Sequence, residues 1–425
     1  MNFVEELKWR GMLHDITPGA EEELNSKMCS GYIGFDPTAP SFTIGNYVQI
    51  MILTLFQRAG HQPIFLMGGA TGRIGDPSGK DKERVLKSEE ELDKNLRFQQ
   101  SQAEKLLNFT EGDNKAVMVN NYDFYKDMNV LDFLRDVGKN LTVNYMMSKD
   151  SVKNRLESGL SFTEFSYQLL QAFDFLQLYK QRDCKFQMGG SDQWGNITSG
   201  TEFIRRNVAG GKAFAITTPL LTKSDGKKFG KSEAGNIWLD PQLTSPYKFY
   251  QFWINAADDD IIKFYKFFSL EEREQMMERI QKAEEDPNSL KRALAEELTI
   301  RVHSEADYQS VQNVSSLLFN KKADQDMLFN LTENELETIG AEIPCFPIST
   351  ADIQSGINIV TLLAEKTTIV SSNGEARRAI KNNAIAINKV KVKDHEQVIG
   401  SSDLIHGKYT MVENGKKNKI LLKVT

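Results

Sequence analysis

Short apolar runs that end in glycine, asparagine or aspartate recur through the first half of the chain: CSGYIGFD (29–36), HQPIFLMGG (61–69), KAVMVNN (115–121) and CKFQMGGSD (184–192). Each is short enough for a strand buried on both faces, and each is followed by sequence with helical periodicity. That alternation predicts an α/β domain with a doubly wound parallel sheet over residues 1–220. Ligands in such sheets sit beyond the carboxyl ends of the strands, and here those ends are polar.

Residues 221–244 then form a loop segment, and from Ser245 to Asn320 the texture becomes helical. Ser269 and Glu272 have the spacing of a capping box, and Asp286-Pro287 can open the helix containing LKRALAEELTIRV. Residues 321–352 are polar and reach IPCFPIST, with two prolines three apart, which predicts a linker. In the last unit, 353–425, SSNGEARRAIKNN has a second capping box, Ser372 to Glu375, opening a short helix that carries Arg377, Arg378 and Lys381. AIAINKVKV then alternates like a hairpin.

The 425 residues allow two or three domains, and 40% apolar with 26% charged residues is a globular composition. No apolar run reaches membrane-spanning length, and MNFVEELKWRGMLHD is acidic and lacks an apolar signal core, so a cytoplasmic protein without membrane contact is expected. Cys29, Cys184 and Cys345 are scattered, and the five histidines have no ligand spacing, so neither a disulfide framework nor a dedicated metal site is expected. Residues 366–425 hold 12 Lys or Arg against 5 Asp or Glu, a net of +7 in a chain whose total is −6, leaving −13 on the rest. A basic end on an acidic body suits a polyanionic partner, although a merely solubilising surface would look the same.

Four segments carry candidate chemistry. KKFGKSEAGNIW places Lys228, Lys231 and Ser232 on a Gly-containing loop, able to meet charge on a polyphosphate; alone, such a turn is usually just solvated. GGATGRIGDPSGK follows an apolar run where a phosphate-binding turn would sit. It is not a Walker A loop, because Ile74 stands six residues before Lys80, nor a dinucleotide fingerprint, because Ala70 takes its first glycine position. Asp76 can take an ammonium there, and Lys80 and Arg84 can reach phosphates. In GGSDQWGNIT, Asp192 and Gln193 after Gly189 and Gly190 are placed to hydrogen-bond a ribose or a neighbouring backbone. In SFTEFSYQLLQAFDFLQLY, Tyr167, Gln171 and Asp174 at i, i+4 and i+7 share one helical face. Phe165, Leu169, Leu170, Phe173 and Leu176 leave that helix apolar nearly all round, so a buried Gln and Asp would need partners.

Together GFDPTA, GGATGRIGDPSGK, SFTEFSYQLLQAFDF, GGSDQWGNI and KFGKS, in this order, make nearly the whole chain resemble the bacterial tyrosyl-tRNA synthetases, a class I aminoacyl-tRNA synthetase family. The resemblance implies a Rossmann-like catalytic domain, a helical domain and a small α+β, S4-like RNA-binding domain. It implies a tyrosine–tRNA ligase that uses ATP with Mg²⁺ and L-tyrosine, charges tRNA(Tyr), and works as a homodimer. It assigns Tyr32 and Asp174 to the substrate phenol, and Asp76, Tyr167 and Gln171 to its ammonium. Gly34, Asp36, Gly190, Asp192, Gln193 and Lys231 would line the nucleotide and adenylate site, and Thr38, Lys80, Arg84, Lys228, Lys231 and Ser232 would hold the triphosphate. Arg377, Arg378, Lys381, Lys416 and Lys417 would meet tRNA.

One signature departs from the family. Its usual His-Ile-Gly-His reads Thr43-Ile44-Gly45-Asn46 here, so a hydroxyl and an amide must supply any hydrogen bonds to phosphate or ribose. That departure leaves room for a catalytically silent RNA-binding protein, against which the intact KFGKS and GDPSGK segments argue. A tryptophan-specific relative on the same fold is a nearer alternative, and Tyr32 with Asp174 favours a phenol over an indole.

Overall fold

The four apolar runs are strands of one sheet. In the computed structural model, which describes residues 1–78, 87–153, 155, 159–232, 235–320, 322–415 and 418–425, the chain divides into two units. One is Met1–Thr244 with Gln251–Val302, the other Ser245–Tyr250 with His303–Thr425.

The first unit holds β1 (Asp15–Ile16), β2 (Ser30–Phe35), β3 (Gln62–Met67), β4 (Val117–Asn120), β5 (Cys184–Gly190) and β6 (Phe214–Thr218) in the spatial order β1-β6-β5-β2-β3-β4. Strands β2 to β6 run parallel, and the two-residue β1 closes the β6 edge antiparallel, Asp15 opposite Thr217, so the sheet is mixed. The register sets Tyr32 between Ile64 of β3 and Gln187 of β5. Helices cover the sheet because their apolar stripes have nowhere else to go. The Phe162–Arg182 helix starts on Ser161, whose side chain accepts the Glu164 N–H, and stops at Asp183, φ 47°. It buries Leu169, Ala172, Phe173, Phe175, Leu176 and Leu178 with Tyr32, Ile64 and Leu66. Each of the Leu, Ile and Phe side chains stabilises by about 1.5–3 kcal/mol through area removed from water.

The helical stretch differs from expectation at one start. Ser269 is the C-cap of the Asp258–Phe268 helix, and the next helix, Arg273–Ala283, has Glu272 itself as N-cap without a side-chain capping bond. Buried Ser269 is held otherwise: its carbonyl accepts Arg10 Nη1 at 2.7 Å and its Oγ accepts the Glu271 N–H. Pro287 does open the Pro287–Val302 helix. Two short strands, β7 (Lys231–Ser232) and β8 (Gly235–Asn236), pair antiparallel within the loop segment.

In the second unit, residues 321–352 are not an open linker. They hold the helices Gln325–Phe329 and Glu333–Glu342 and strand β9 (Cys345–Ile348). Besides a small β10 (Ile357–Asn358) and β13 (Val398–Ile399) pair, the unit has β11 (Ile385–Ile387), β12 (Val390–Lys391), β14 (Tyr409–Asn414) and β15 (Asn418–Val424), ordered β12-β11-β14-β15-β9. β9 is the edge, parallel to β15, which is where a proline such as Pro347 is tolerated. The β11–β12 hairpin turns on Asn388 and Lys389, both at positive φ (44° and 69°). Ser372 caps the Asn373–Lys381 helix, while the Glu375 carboxylate reaches back to Ser371 N rather than to the cap residue. Among the described residues no helix is long and apolar enough to cross a membrane.

Candidate active site

A cavity of 430 Å³ opens beyond the carboxyl ends of β2, β3 and β5. Tyr32 and Gly34 reach it from β2, Asp36 and Thr38 from the turn that follows, and Asp76 from beyond β3. Gly190, Asp192 and Gln193 come from the end of β5, and Tyr167, Gln171 and Asp174 from one face of the Phe162–Arg182 helix. Thr43 and Asn46 stand at the start of the Ile44–Arg58 helix on the same wall. Lys228 and Lys231 do not line the cavity; both are exposed on the loop. Lys80, Arg84, Lys416 and Lys417 lie outside the described residues, and of Ser232 only the backbone is described. Arg377, Arg378 and Lys381 are exposed on a helix of the other unit.

At the deep end stand a phenol and a carboxyl. Tyr32 is 1% exposed and its hydroxyl has no hydrogen-bond partner among the described residues. Asp174, also 1% exposed, accepts Tyr125 Oη at 2.7 Å on one oxygen and Asn121 Nδ2 at 2.9 Å on the other. Burial pushes the Asp174 carboxyl up to about 7 against those two hydrogen bonds, while Tyr32, Tyr125 and Tyr167 are pushed well above the ordinary phenol value, chiefly by burial. A ligand hydroxyl would supply what this end lacks, an acceptor for Tyr32 and a further donor to Asp174.

The same network continues to the mouth. Asn121 Nδ2 also donates to Thr71 Oγ1 at 3.0 Å, Thr71 donates to Asp36 Oδ1 at 2.6 Å, and Tyr167 donates to Asp36 Oδ2 at 3.0 Å. Asp76 takes Gln193 Nε2 at 2.6 Å and the Ser78 N–H at 2.9 Å, and buried Asn196 donates to Ser78 Oγ at 3.1 Å. Asp36 sits so close to the β3 turn that a Cβ on Gly68 would collide with it and with Thr71. Asn121, Tyr125, Thr71 and Asn196 escaped the sequence reading. The signal for the first two is the polar NNYDFY that ends the third apolar run.

Thr43 and Asn46 engage each other. Thr43 Oγ1 donates to Asn46 Oδ1 at 2.8 Å, which also takes the Thr43 N–H at 3.0 Å, while Thr43 accepts the Asn46 N–H; the pair closes a capping box. The loop is fastened to this same helix start. Phe229 is buried among Phe252, Trp253, Phe264 and Phe268, Gly230 at φ 84° passes against Gly45, and the Ile44 N–H donates to Ile237 O at 3.0 Å. Lys228 and Lys231 flank that anchor in sequence. Among the described residues no three His, Cys, Asp or Glu side chains converge on a metal-sized site.

Comparison with known proteins shows the family. Residues 25–320 match the family model of the class I tRNA synthetases (W and Y), and residues 335–422 match the tyrosine–tRNA ligase SYY-like C-terminal domain. The chain is 53% identical to a tyrosine–tRNA ligase of Cytophaga hutchinsonii and 51% identical to one of Porphyromonas gingivalis, each match covering 99% of both chains. Among solved structures it resembles a C-terminally truncated mitochondrial tyrosyl-tRNA synthetase of Aspergillus nidulans, with TM-score 0.67 and 30% identity over 75% of this chain and 94% of that one.

Proposed function

The chain belongs to the tyrosine–tRNA ligases among the class I tRNA synthetases, and from that premise we propose which of its residues do the work. The reaction joins L-tyrosine to ATP as tyrosyl-adenylate, releasing pyrophosphate, and then moves the tyrosyl group to the 3′ end of tRNA(Tyr). The tryptophan-specific alternative is set aside, since the C-terminal family and the relatives about half identical over the full length are tyrosine ligases.

In this reading Tyr32 and Asp174 bind the substrate phenol, and the observation that carries it is the buried Tyr32 hydroxyl, without a partner among the described residues, in the cavity that Asp174 also lines. Asp76, Tyr167 and Gln171 take the ammonium, with Asp76 held ready by Gln193 and Ser78. Gly34, Asp36, Gly190, Asp192 and Gln193 receive the nucleotide. The substrate carboxylate is already a nucleophile, so in-line attack on the α-phosphate needs positioning and charge stabilisation rather than a protein base. Thr38, Thr43 and Asn46 face the phosphates from the cavity wall, and Lys80, Arg84, Lys228, Lys231 and Ser232 supply the charge and hydrogen bonds that hold them. Mg²⁺ arrives on the ATP; adenylate formation that persisted without a divalent cation would remove it from the scheme.

The remaining assignments rest on surface chemistry. Residues 1–220 carry the reaction with the loop 221–244, and the basic segment from 353, through Arg377, Arg378, Lys381, Lys416 and Lys417, holds tRNA. Exposed Val130, Leu131, Leu134, Val143, Met147 and Phe162 crowd into one stretch of sequence, which suits a homodimer face; a monomer in sedimentation equilibrium would refute it. The protein works in the cytoplasm beside its substrates, as cell fractionation would test. The phenol assignment is tested by Tyr32→Phe, which removes one hydroxyl and little volume. The ratio of kcat/KM for tyrosine over phenylalanine should fall about tenfold or more, and an unchanged ratio would displace the phenol from Tyr32.

A further inference from the structure

The carboxylate assigned to the substrate phenol is itself held by a side chain that no motif marks. Tyr125 ends the 3₁₀ turn Asn121–Phe124 after β4, its ring packed on Phe173 with centroids 5.6 Å apart. Its Oη lies 2.7 Å from Asp174 Oδ1 and 2.8 Å from the carbonyl oxygen of Leu170, one turn earlier on the same helix as Asp174. A phenol has a single proton, so it cannot donate to both. With Asp174 ionised, the proton goes to the carboxylate. With Asp174 neutral, the carboxyl donates to Tyr125 Oη and the phenol proton turns to Leu170 O.

The other partner has no such freedom. Asn121 gives one N–H to Asp174 Oδ2 and one to Thr71 Oγ1, and its own carbonyl takes the Ala70 N–H at 2.7 Å, so every group on that amide is engaged. Of the two side chains that hold Asp174 among the described residues, Tyr125 is the one that can change acceptor.

We propose that Tyr125 is a positioning residue for tyrosine recognition: its hydroxyl turns to Asp174 to hold the carboxylate ionised for the substrate phenol, and turns to Leu170 O when the empty pocket keeps Asp174 protonated. The proposal rests on Asp174 reading the phenol. Burial brings the Asp174 carboxyl to about 7, so both arrangements are accessible near neutrality. The titratable groups that face it are Tyr32 and Asp36 from the β2 end, Tyr125 from beyond β4 and Tyr167 on its own helix. The three phenols stay protonated through the neutral range, and the Asp36 charge pushes Asp174 further up. Tyrosine bound to the neutral form would therefore release one proton to solvent as Asp174 ionises.

Tyr125→Phe deletes the hydroxyl and keeps the ring. Steady-state adenylate formation from about pH 6 to about pH 9 should show KM for tyrosine raised about ten- to a hundredfold near neutrality with kcat within about twofold. The midpoint of kcat/KM should move to higher pH, so that the deficit shrinks in base. Asp174→Asn, run beside it, tests the underlying reading and should lower the tyrosine-to-phenylalanine ratio at every pH. A Tyr125→Phe midpoint at the parental pH, or one KM factor at all pH values, overturns the positioning role while leaving the Asp174 assignment standing. A parental ratio in Asp174→Asn overturns the assignment itself.

Discussion

Replacing Asp174 by asparagine should make the empty protein more stable while it spoils tyrosine recognition. The carboxyl rises from its ordinary 3.8 to about 7 because burial disfavours its charge. Between those values the folded chain holds a proton that the unfolded chain releases, so this group's contribution to stability is fully present below 3.8 and is lost as pH rises through about 7. The ionised form therefore costs on the order of 4 kcal/mol above neutrality. The new amide has the same shape and can be satisfied in place: its oxygen takes the Asn121 N–H, its nitrogen donates to Tyr125 Oη, and Tyr125 turns its proton to Leu170 O. Urea unfolding without tyrosine, followed by fluorescence, gives the assay. The stability of variant minus parent should grow by roughly 3 kcal/mol from about pH 5 to about pH 7.5 and then level off. Added tyrosine should raise the parent's midpoint and leave the variant's nearly unmoved. A difference that is flat in pH would mean that Asp174 is already ionised at the acid end, and the burial argument would fail.

Other perturbations probe other parts. On the proposed role, in which the exposed loop lysine meets phosphate only as charge develops, Lys231→Ala should slow adenylate formation by about 10²–10³ in a pre-steady-state burst with little change in tyrosine affinity. Equal losses in both would make Lys231 a ground-state contact. A chain ending at Asn320 should keep adenylate synthesis and lose tRNA charging, and charging by the full chain should weaken steeply with salt; normal charging by the short chain would reduce the basic segment to a solubilising surface. Gly68→Ala pushes a methyl group into Asp36 and Thr71, so kcat/KM for tyrosine activation should drop about tenfold or more, and parental kinetics would show that the Asp36 network is slack.

What could be read from the sequence was whatever has a local period or a fixed spacing. Strands β2 to β5 came from apolar runs, and the cavity face of Tyr167, Gln171 and Asp174 came from a helical spacing. Strand β6 was passed over because FAITT ends in threonines rather than in the glycine, asparagine or aspartate that closed the other runs. Pro344 and Pro347 look like linker chemistry, yet an edge strand that needs few backbone donors accepts them. Ser269 and Glu272 have the letters of a capping box, but the Ser269 hydroxyl takes the Glu271 N–H, its carbonyl takes Arg10, and the helix begins a turn later. The support for Asp174 was the least legible. Asn121 and Tyr125 meet it across 53 and 49 residues, and no local pattern encodes a contact that the sheet order creates. Thr43 and Asn46 were read as substitutes for imidazoles, and their spacing also serves the helix start they cap.

On the proposed reading this cavity selects tyrosine and activates it with ATP. Exchange of labelled pyrophosphate into ATP, measured with purified full-length protein and each of the twenty amino acids in turn, tests it most directly. Rapid exchange with tyrosine and exchange near background with phenylalanine and tryptophan is the predicted result. Comparable exchange with phenylalanine, or none with tyrosine, would mean that the cavity does not select tyrosine for activation.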